Sequence, residues 1–286
     1  MKLRKTYTPY LFLVPALIFM GIFLFYPIVD VFRLSFTNYN MIQEASYVGN
    51  QNYQDLLNDP LFWKTLKNSF IYLIGVVPLL VILPIFIAIL VNRKLKGIKW
   101  FRAAYYIPVV TSMVVVGIMW KWLYRGNGLL NYLLQTIGLI NEPISWLTST
   151  DYALYSVMAV TIWKGLGYYM VIYLAGLQSI PQDLYEVAQI DGANWWQKHL
   201  HITIPLLKPS ILLVTILSSI AAMKVFTEVY VMTKGGPINS SKTLVFYIYE
   251  KAFENLNLGY AAAMGFVLFV IIFILSFINF KVLGQE

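Results

Sequence analysis

Residues 68–92 read NSFIYLIGVVPLLVILPIFIAILVN and contain no charge. A helix rises about 1.5 Å per residue, so this run exceeds the roughly 20 apolar residues that cross about 30 Å of hydrocarbon. Gly75, Pro78 and Pro84 stand inside it. They would break a helix in water, but neighbours in a membrane bundle satisfy the freed backbone groups, so a kinked and packed span is expected. Charges gather at its ends: Lys64 and Lys67 before it, and Arg93, Lys94, Lys96, Lys99 and Arg102 after it, with no acid in that second group.

The same alternation of uncharged runs and charged clusters continues along the chain. Residues 6–29, 103–120 and 255–280 are also uncharged and long enough to span. Residues 152–177 and 209–232 reach that length only by tolerating Lys164 in one, and Lys224 with Glu228 in the other. The first run ends at Pro27 and Asp30 without an Ala-x-Ala-like cleavage site, so a retained first helix is expected rather than a signal peptide. The expectation is an all-α polytopic bundle of six membrane helices forming one transmembrane domain over residues 1–286. Composition agrees: 59% hydrophobic and 12% charged residues, against about 45–50% and 25% for a soluble domain.

Orientation follows from Lys and Arg in the short loops. On a six-span arrangement, the N-terminus, the 2–3 loop, the 4–5 loop and the C-terminus together hold eleven Lys/Arg and four Asp/Glu, and the opposite loops hold eight of each. Both termini are therefore expected in the cytoplasm, with the chain multi-pass in the membrane. The net charge of +8 is spent on this topology, and no nucleic-acid partner is expected.

Catalytic material is sparse. No G-x-x-x-x-G-K-[ST] phosphate cradle, G-x-S-x-G elbow or H-E-x-x-H helix occurs, and there is no cysteine. The two histidines, His199 and His201, are two apart and would not share a helix face for a metal. A carrier is favoured over an enzyme, with no metal or cofactor bound by the chain.

The polar stretch 178–208 has the strongest local order. Ser179-Ile-Pro-Gln182 has a capping-box pattern with Pro in the first turn. A short helix over 182–190 would set Leu184, Val187 and Ala188 toward one side, with Asp183 and Glu186 near its positive end. Gly192 is a natural stop, and Asn194 can cap a second helix through Trp195, Trp196 and Leu200 that ends before Pro205. Such a hairpin can be an interfacial anchor, a nucleic-acid-binding pair or a docking surface for a soluble protein.

Glu186-Val187-Ala188, then after three intervening residues Gly192, and after nine more Ile202-Thr203-Ile204-Pro205, resemble the EAA loop of ATP-binding-cassette importer permeases. Val187 stands where that family usually has Ala, and Ile204 where Leu is common. Tyr47-Val-Gly-Asn-Gln-Asn-Tyr53, Phe101-Arg-Ala-Ala-Tyr-Tyr-Ile-Pro108 and Val231-Met-Thr-Lys-Gly-Gly-Pro237 are similar to the carbohydrate importers of the MalF and glycerol-phosphate permease type. The resemblance implies a MetI/MalF-like fold and a cytoplasmic coupling helix within 178–208. Glu186, Ala188, Asp191, Gly192, Ile202 and Pro205 would meet the ATPase. It further implies a prokaryotic inner (cytoplasmic) membrane, two copies of a P-loop ATPase carrying ATP and Mg, a second permease giving a heterodimer, and an extracytoplasmic sugar-binding protein.

The same resemblance points to a substrate path. Thr161, Gly165 and Tyr168 align with helix positions that contact sugar in maltose-type permeases, and Ser218, Ala221 and Ala222 fall at the matching positions of the next span. Gly165 and Ser218 are retained and Tyr168 keeps its ring, whereas Thr161, Ala221 and Ala222 replace larger groups. Independently, ionisable groups inside a bilayer default to functional roles. That adds Lys164, Lys224 and Glu228, of which the last two are four apart and able to pair across one helical turn. Phe62, Trp63, Trp120, Trp122, Tyr124 and Trp146 fall near span ends and read as interfacial belt and packing residues. Importers of other solutes, an ion-coupled secondary carrier and a membrane transferase are the competing classes; no clear internal repeat supports the second, and Glu228 as the sole intramembrane carboxylate weakens the third.

Overall fold

The computed structural model describes residues 3–42, 44–92 and 96–284, with side chains from Tyr10 onward. Lys2, Arg93 and Lys94, and the side chains of Arg4 and Lys5, lie outside them. The described residues form helices and no strand, apart from an isolated antiparallel bridge between Thr37 and Tyr47. In chain order the helices are α1 (Leu3–Met20), α2 (Tyr26–Leu34), α3 (Gln51–Asn58), α4 (Pro60–Val91), α5 (Ile98–Val110), α6 (Met113–Leu123), α7 (Leu129–Thr136), α8 (Ala153–Gln178), α9 (Gln182–Ile190), α10 (Trp195–Lys198), α11 (Ile204–Leu206), α12 (Lys208–Met223), α13 (Thr227–Met232), α14 (Leu244–Tyr249) and α15 (Leu258–Leu283). Wider π turns join α1 to α2, α10 to α11, and follow α14.

Four stretches are unbroken and long enough to span: Tyr10–Leu34, Pro60–Val91, Ala153–Gln178 and Leu258–Leu283. Two more result if the bent pairs α5 with α6 and Trp195–Leu206 with α12 each count as one, giving up to six. Two expected spans are therefore corrected in shape. The run 103–120 is not one straight helix, because α5 and α6 meet at 98°. Thr111 and Ser112 take extended conformations there, and the Thr111 hydroxyl donates to the Ile107 carbonyl at 3.0 Å, replacing the amide that a continuing helix would supply. The run 209–232 is interrupted after Met223, and α13 starts afresh at Thr227. The Val225 carbonyl in that gap accepts from the buried Thr243 hydroxyl at 3.0 Å.

The chain divides into two compact units. One comprises residues 1–62 with 247–270. In it, no residue of the Tyr10–Leu34 stretch is buried. At the foot of α2, Asn52 donates to the Ser35 and Thr37 carbonyls, both at 2.8 Å, which ties α3 to the turn. Asp59 accepts from the hydroxyls of Tyr247 (2.6 Å) and Tyr260 (2.8 Å) and from the Leu61 amide (2.8 Å). Burial alone would raise its pKa, but these hydrogen bonds outweigh burial and hold the carboxyl below its ordinary value.

The other unit comprises residues 63–246 with 271–286. Its core joins Tyr72, Val76 and Leu80 of α4 to Val157, Val160, Met170 and Tyr173 of α8, and to Leu207, Val214 and Val229. Gly167 lets α5 approach α8 closely, since a Cβ there would overlap the Tyr105 carbonyl. Small residues at such crossings are how membrane helices gain packing contact without a hydrophobic drive between them.

Candidate functional site

Two features of the second unit gather the residues singled out from the sequence. The first is a chamber of about 230 Å³. Thr161, Lys164, Gly165 and Tyr168 of α8 line it, together with Ser218 of α12 and Glu228 of α13; Ala221, Ala222, Leu80 and Val109 complete the wall. Thr161 shares a short hydrogen bond with the Tyr72 hydroxyl and also donates to the Val157 carbonyl at 3.3 Å. The Ser218 hydroxyl donates to the Thr215 carbonyl at 3.2 Å.

Lys164 owes its position to the α5 break. In a continuous helix the Val109 carbonyl would accept from the amide four residues on. The chain turns away at Thr111, and the Lys164 ammonium donates to Val109 at 3.0 Å instead. Glu228 sits in the first turn of α13, where a carboxylate suits the helix dipole. Its counter-charge in the chamber is Lys164, which lies within electrostatic reach. The expected Lys224–Glu228 pair is corrected: the helix stops between them, so they are not on one helical face, Lys224 is exposed and does not line the chamber, and no ion pair joins the two among the described residues. The chamber wall thus holds one acidic and one basic side chain.

The second feature is the hairpin of α9 and α10. Helix α9 runs over the expected residues but starts differently from the sequence expectation. Pro181 is its N-cap and makes no side-chain bond, while the Ser179 hydroxyl turns back to the Gly176 carbonyl at 2.8 Å and finishes α8. Its end follows the glycine rule: Gly192 has φ +80°, its amide donates to Gln189, and the Ala193 amide reaches the Ala188 carbonyl at 2.8 Å. Asn194 and Gln197 then form a reciprocal capping box, at 2.9 and 2.7 Å. The following helix does not stop before Pro205 as expected; a π turn carries it to Leu206, where it bends by 66° into α12. Pro205 is the second residue after the π turn, one residue before the last of this helix.

The hairpin is braced from within. The Tyr185 hydroxyl meets the buried Thr203 hydroxyl at 2.9 Å, and His199 Nδ1 meets the same oxygen at 2.8 Å. His201 turns elsewhere, to the Gln197 carbonyl at 3.0 Å. Asp191 and Gly192 are exposed at the C-terminal end of α9 beside Ile190, Glu186 and Val187 are exposed at its middle, and Ala188 and Ile202 are half-buried. Glu186 accepts from the Gln182 side chain at 2.9 Å. Ile190, with 86% of its surface exposed, makes this an apolar tip with an acidic border.

Sequence reasoning missed Tyr72 and the Val109 carbonyl. Both act through contacts far apart in the chain, and only the Pro108 and Thr111-Ser112 sequence around the α5 break hinted at a freed carbonyl. Of the residues read as belt and packing groups, Phe62 is buried, and Trp120 and Trp146 pack against the core.

Comparison with known proteins agrees with this architecture. Residues 61–282 match the family described as "Binding-protein-dependent transport system inner membrane component". The chain is 38% identical to the lactose transport system permease protein LacF of Rhizobium radiobacter, over 95% of this chain and 92% of the relative. It is 36% identical to the arabinooligosaccharides transport system permease protein AraP of Bacillus subtilis, over 98% of this chain and 90% of the relative. Among solved structures, a chain of a bacterial ABC transporter involved in the import of the acidic polysaccharide alginate superposes with a TM-score of 0.85 at 23% identity, covering 99% of this chain and 97% of that one.

Proposed function

The chain belongs to the family of binding-protein-dependent transport system inner membrane components, and from that premise we propose that it is the permease subunit of an ATP-driven importer that carries a sugar across the cytoplasmic membrane. The observation that carries this reading is the chamber itself: helices α8, α12 and α13 converge on it with hydroxyls, one ammonium, one carboxylate and the Tyr168 ring. A few placed polar groups in a largely apolar cavity are what a hydroxylated ring needs for orientation. The names of the lactose and arabino-oligosaccharide relatives support the substrate class.

Energy enters through the α9–α10 hairpin in this reading. Its exposed apolar tip, bordered by Glu186 and Asp191, docks into a P-loop ATPase, two copies of which bind ATP with Mg. A second, different permease completes the path, and an extracytoplasmic binding protein delivers the sugar. Both termini lie in the cytoplasm. ATP-driven closure of the ATPases draws the hairpins of the two permeases together and tilts the bundles outward; hydrolysis resets them. By linkage, the loaded binding protein stimulates ATP use only if it prefers one of these states.

Purification of the chain from its native membrane in mild detergent, with mass spectrometry and an ATPase assay of what accompanies it, tests the assignment. A stoichiometric ATPase and a second permease, followed by sugar uptake on reconstitution, are expected. A chain that emerges alone, without ATPase even after cross-linking at Glu186, overturns it.

A further inference from the structure

One turn beyond Glu228 on α13, Met232 lines a second and larger cavity of about 630 Å³. Lys121, Trp122 and Arg125, at and just past the end of α6, form one side of it; Trp146 and Thr148, before α8, and Thr233, after α13, also line it. No acidic residue lines it. Trp122 does not stand as a bare belt residue, because the Arg125 guanidinium lies 4.7 Å from its ring centroid.

The rim backbone and Trp146 are held in place before any ligand arrives. Asn131 of α7 is fully buried and holds both rims. Its amide donates to the carbonyls of Arg125 (3.2 Å), Gly126 (3.2 Å) and Ile144 (3.0 Å), and its oxygen accepts from the Trp146 indole at 2.9 Å. Ser156 of α8 donates to the Trp146 carbonyl at 2.9 Å and accepts, on its own carbonyl, from Tyr124 at 3.2 Å. The backbone of this rim and the Trp146 ring therefore lose little entropy on binding, whereas Lys121, Trp122, Arg125 and Thr148 are exposed.

Trp120 stands at the inner end of this aromatic group. Its ring lies 5.4 Å from that of Trp163, the neighbour of Lys164, and 5.3 Å from Tyr124. Its indole N–H is buried and has no hydrogen-bond partner. Such a group costs free energy until an acceptor arrives.

From the sugar-import reading, on which this step rests, we infer that the larger cavity is a second saccharide station that holds sugar rings before they pass Trp120 into the chamber around Lys164. The indole faces of Trp122 and Trp146 take the apolar C–H faces of a sugar ring. Arg125, Lys121 and Thr148 supply hydrogen bonds to its hydroxyls, or to a carboxylate where the sugar bears one. A hydroxyl oxygen moving inward offers the Trp120 N–H the acceptor it lacks. The absence of acidic lining selects against cationic ligands.

The chain has no cysteine, so a single introduced thiol, followed on this subunit's own band after labelling, reports one place. Thr148→Cys marks the outer cavity and Ala221→Cys the inner chamber, each in the complete transporter in nanodiscs treated with a charged maleimide. The probes are maltose, lactose, arabinotriose, their longer homologues and an oligouronide, each also tested for uptake in proteoliposomes. A transported sugar is expected to slow labelling at both positions, about tenfold at ten times its half-saturating concentration. Adding Trp122→Ala should abolish the slowing at Thr148→Cys and leave that at Ala221→Cys. A transported sugar that protects Ala221→Cys and leaves Thr148→Cys labelling unchanged overturns the outer station while the proposed function stands. So does a Thr148→Cys that never labels, since a closed cavity receives nothing. A complete transporter that moves none of the probes overturns the sugar reading, and this inference with it.

Discussion

The hairpin of α9 and α10 and the gap between α12 and α13 are both places where a helix stops and another begins, yet they are held in opposite ways. In the hairpin every stopping signal is local: Gly192 at φ +80°, the Ala193 amide on Ala188, and Asn194 exchanging bonds with Gln197. In the gap, Lys224, Val225 and Phe226 include neither glycine nor proline, and the Val225 carbonyl is met by a hydroxyl eighteen residues away. Propensity therefore governs the exposed element, and tertiary bonding governs the one that shapes the chamber.

Three substitutions break or sharpen that contrast. Thr243→Val removes the long-range partner and leaves the Val225 carbonyl short of a bond, a loss of about 1–3 kcal/mol. Chemical unfolding of the purified complex should show it, along with weaker sugar uptake, because Glu228 follows the gap directly. Unchanged stability would mean that the gap is set by its own three residues. Gly192→Val is expected to cost roughly 1–2 kcal/mol at the positive φ, and to appear as uncoupling: sugar-stimulated ATPase falls about five- to thirtyfold while the complex stays assembled. If coupling survives, the turn is not what presents Glu186 and Ile190. Asn194→Ala removes the cap for about 1 kcal/mol. Hydrogen exchange should rise in α10 with no change at α13; exchange that spreads to α13 would show that the two regions are not independent.

The same division explains how much was legible. The membrane class, α9, its glycine stop and the Asn194 cap follow from uncharged runs and neighbouring residues, which a sequence displays directly. That Thr161, Lys164, Gly165, Tyr168, Ser218 and Glu228 share one cavity was approached through family resemblance together with the cost of buried charge. The Lys224–Glu228 pairing failed because spacing counts only along an unbroken helix, and nothing adjacent to residue 224 announces the break. The α5–α6 corner was hidden for a related reason: Thr111 and Ser112 sit inside an uncharged run whose composition suits a straight span equally well. The reading of Ser179 as a cap failed because its hydroxyl had a nearer acceptor in the helix it follows.

The length of α4 has a mechanical consequence. Its 32 residues measure about 48 Å, so roughly 18 Å extends past a hydrocarbon layer of about 30 Å. Near that helix's first turns, Lys64 holds the Ile238 carbonyl at 2.7 Å, Asn68 holds the carbonyls of Asn239 and Lys242 at 3.1 and 2.9 Å, and Ser69 receives the Leu244 amide at 2.9 Å. The loop is thus bolted to the end of a lever. A pivot of 10° about the opposite end would sweep it through about 8 Å, taking the axial rise per residue as the scale, so a small angular change among packed helices becomes a displacement wider than a sugar ring.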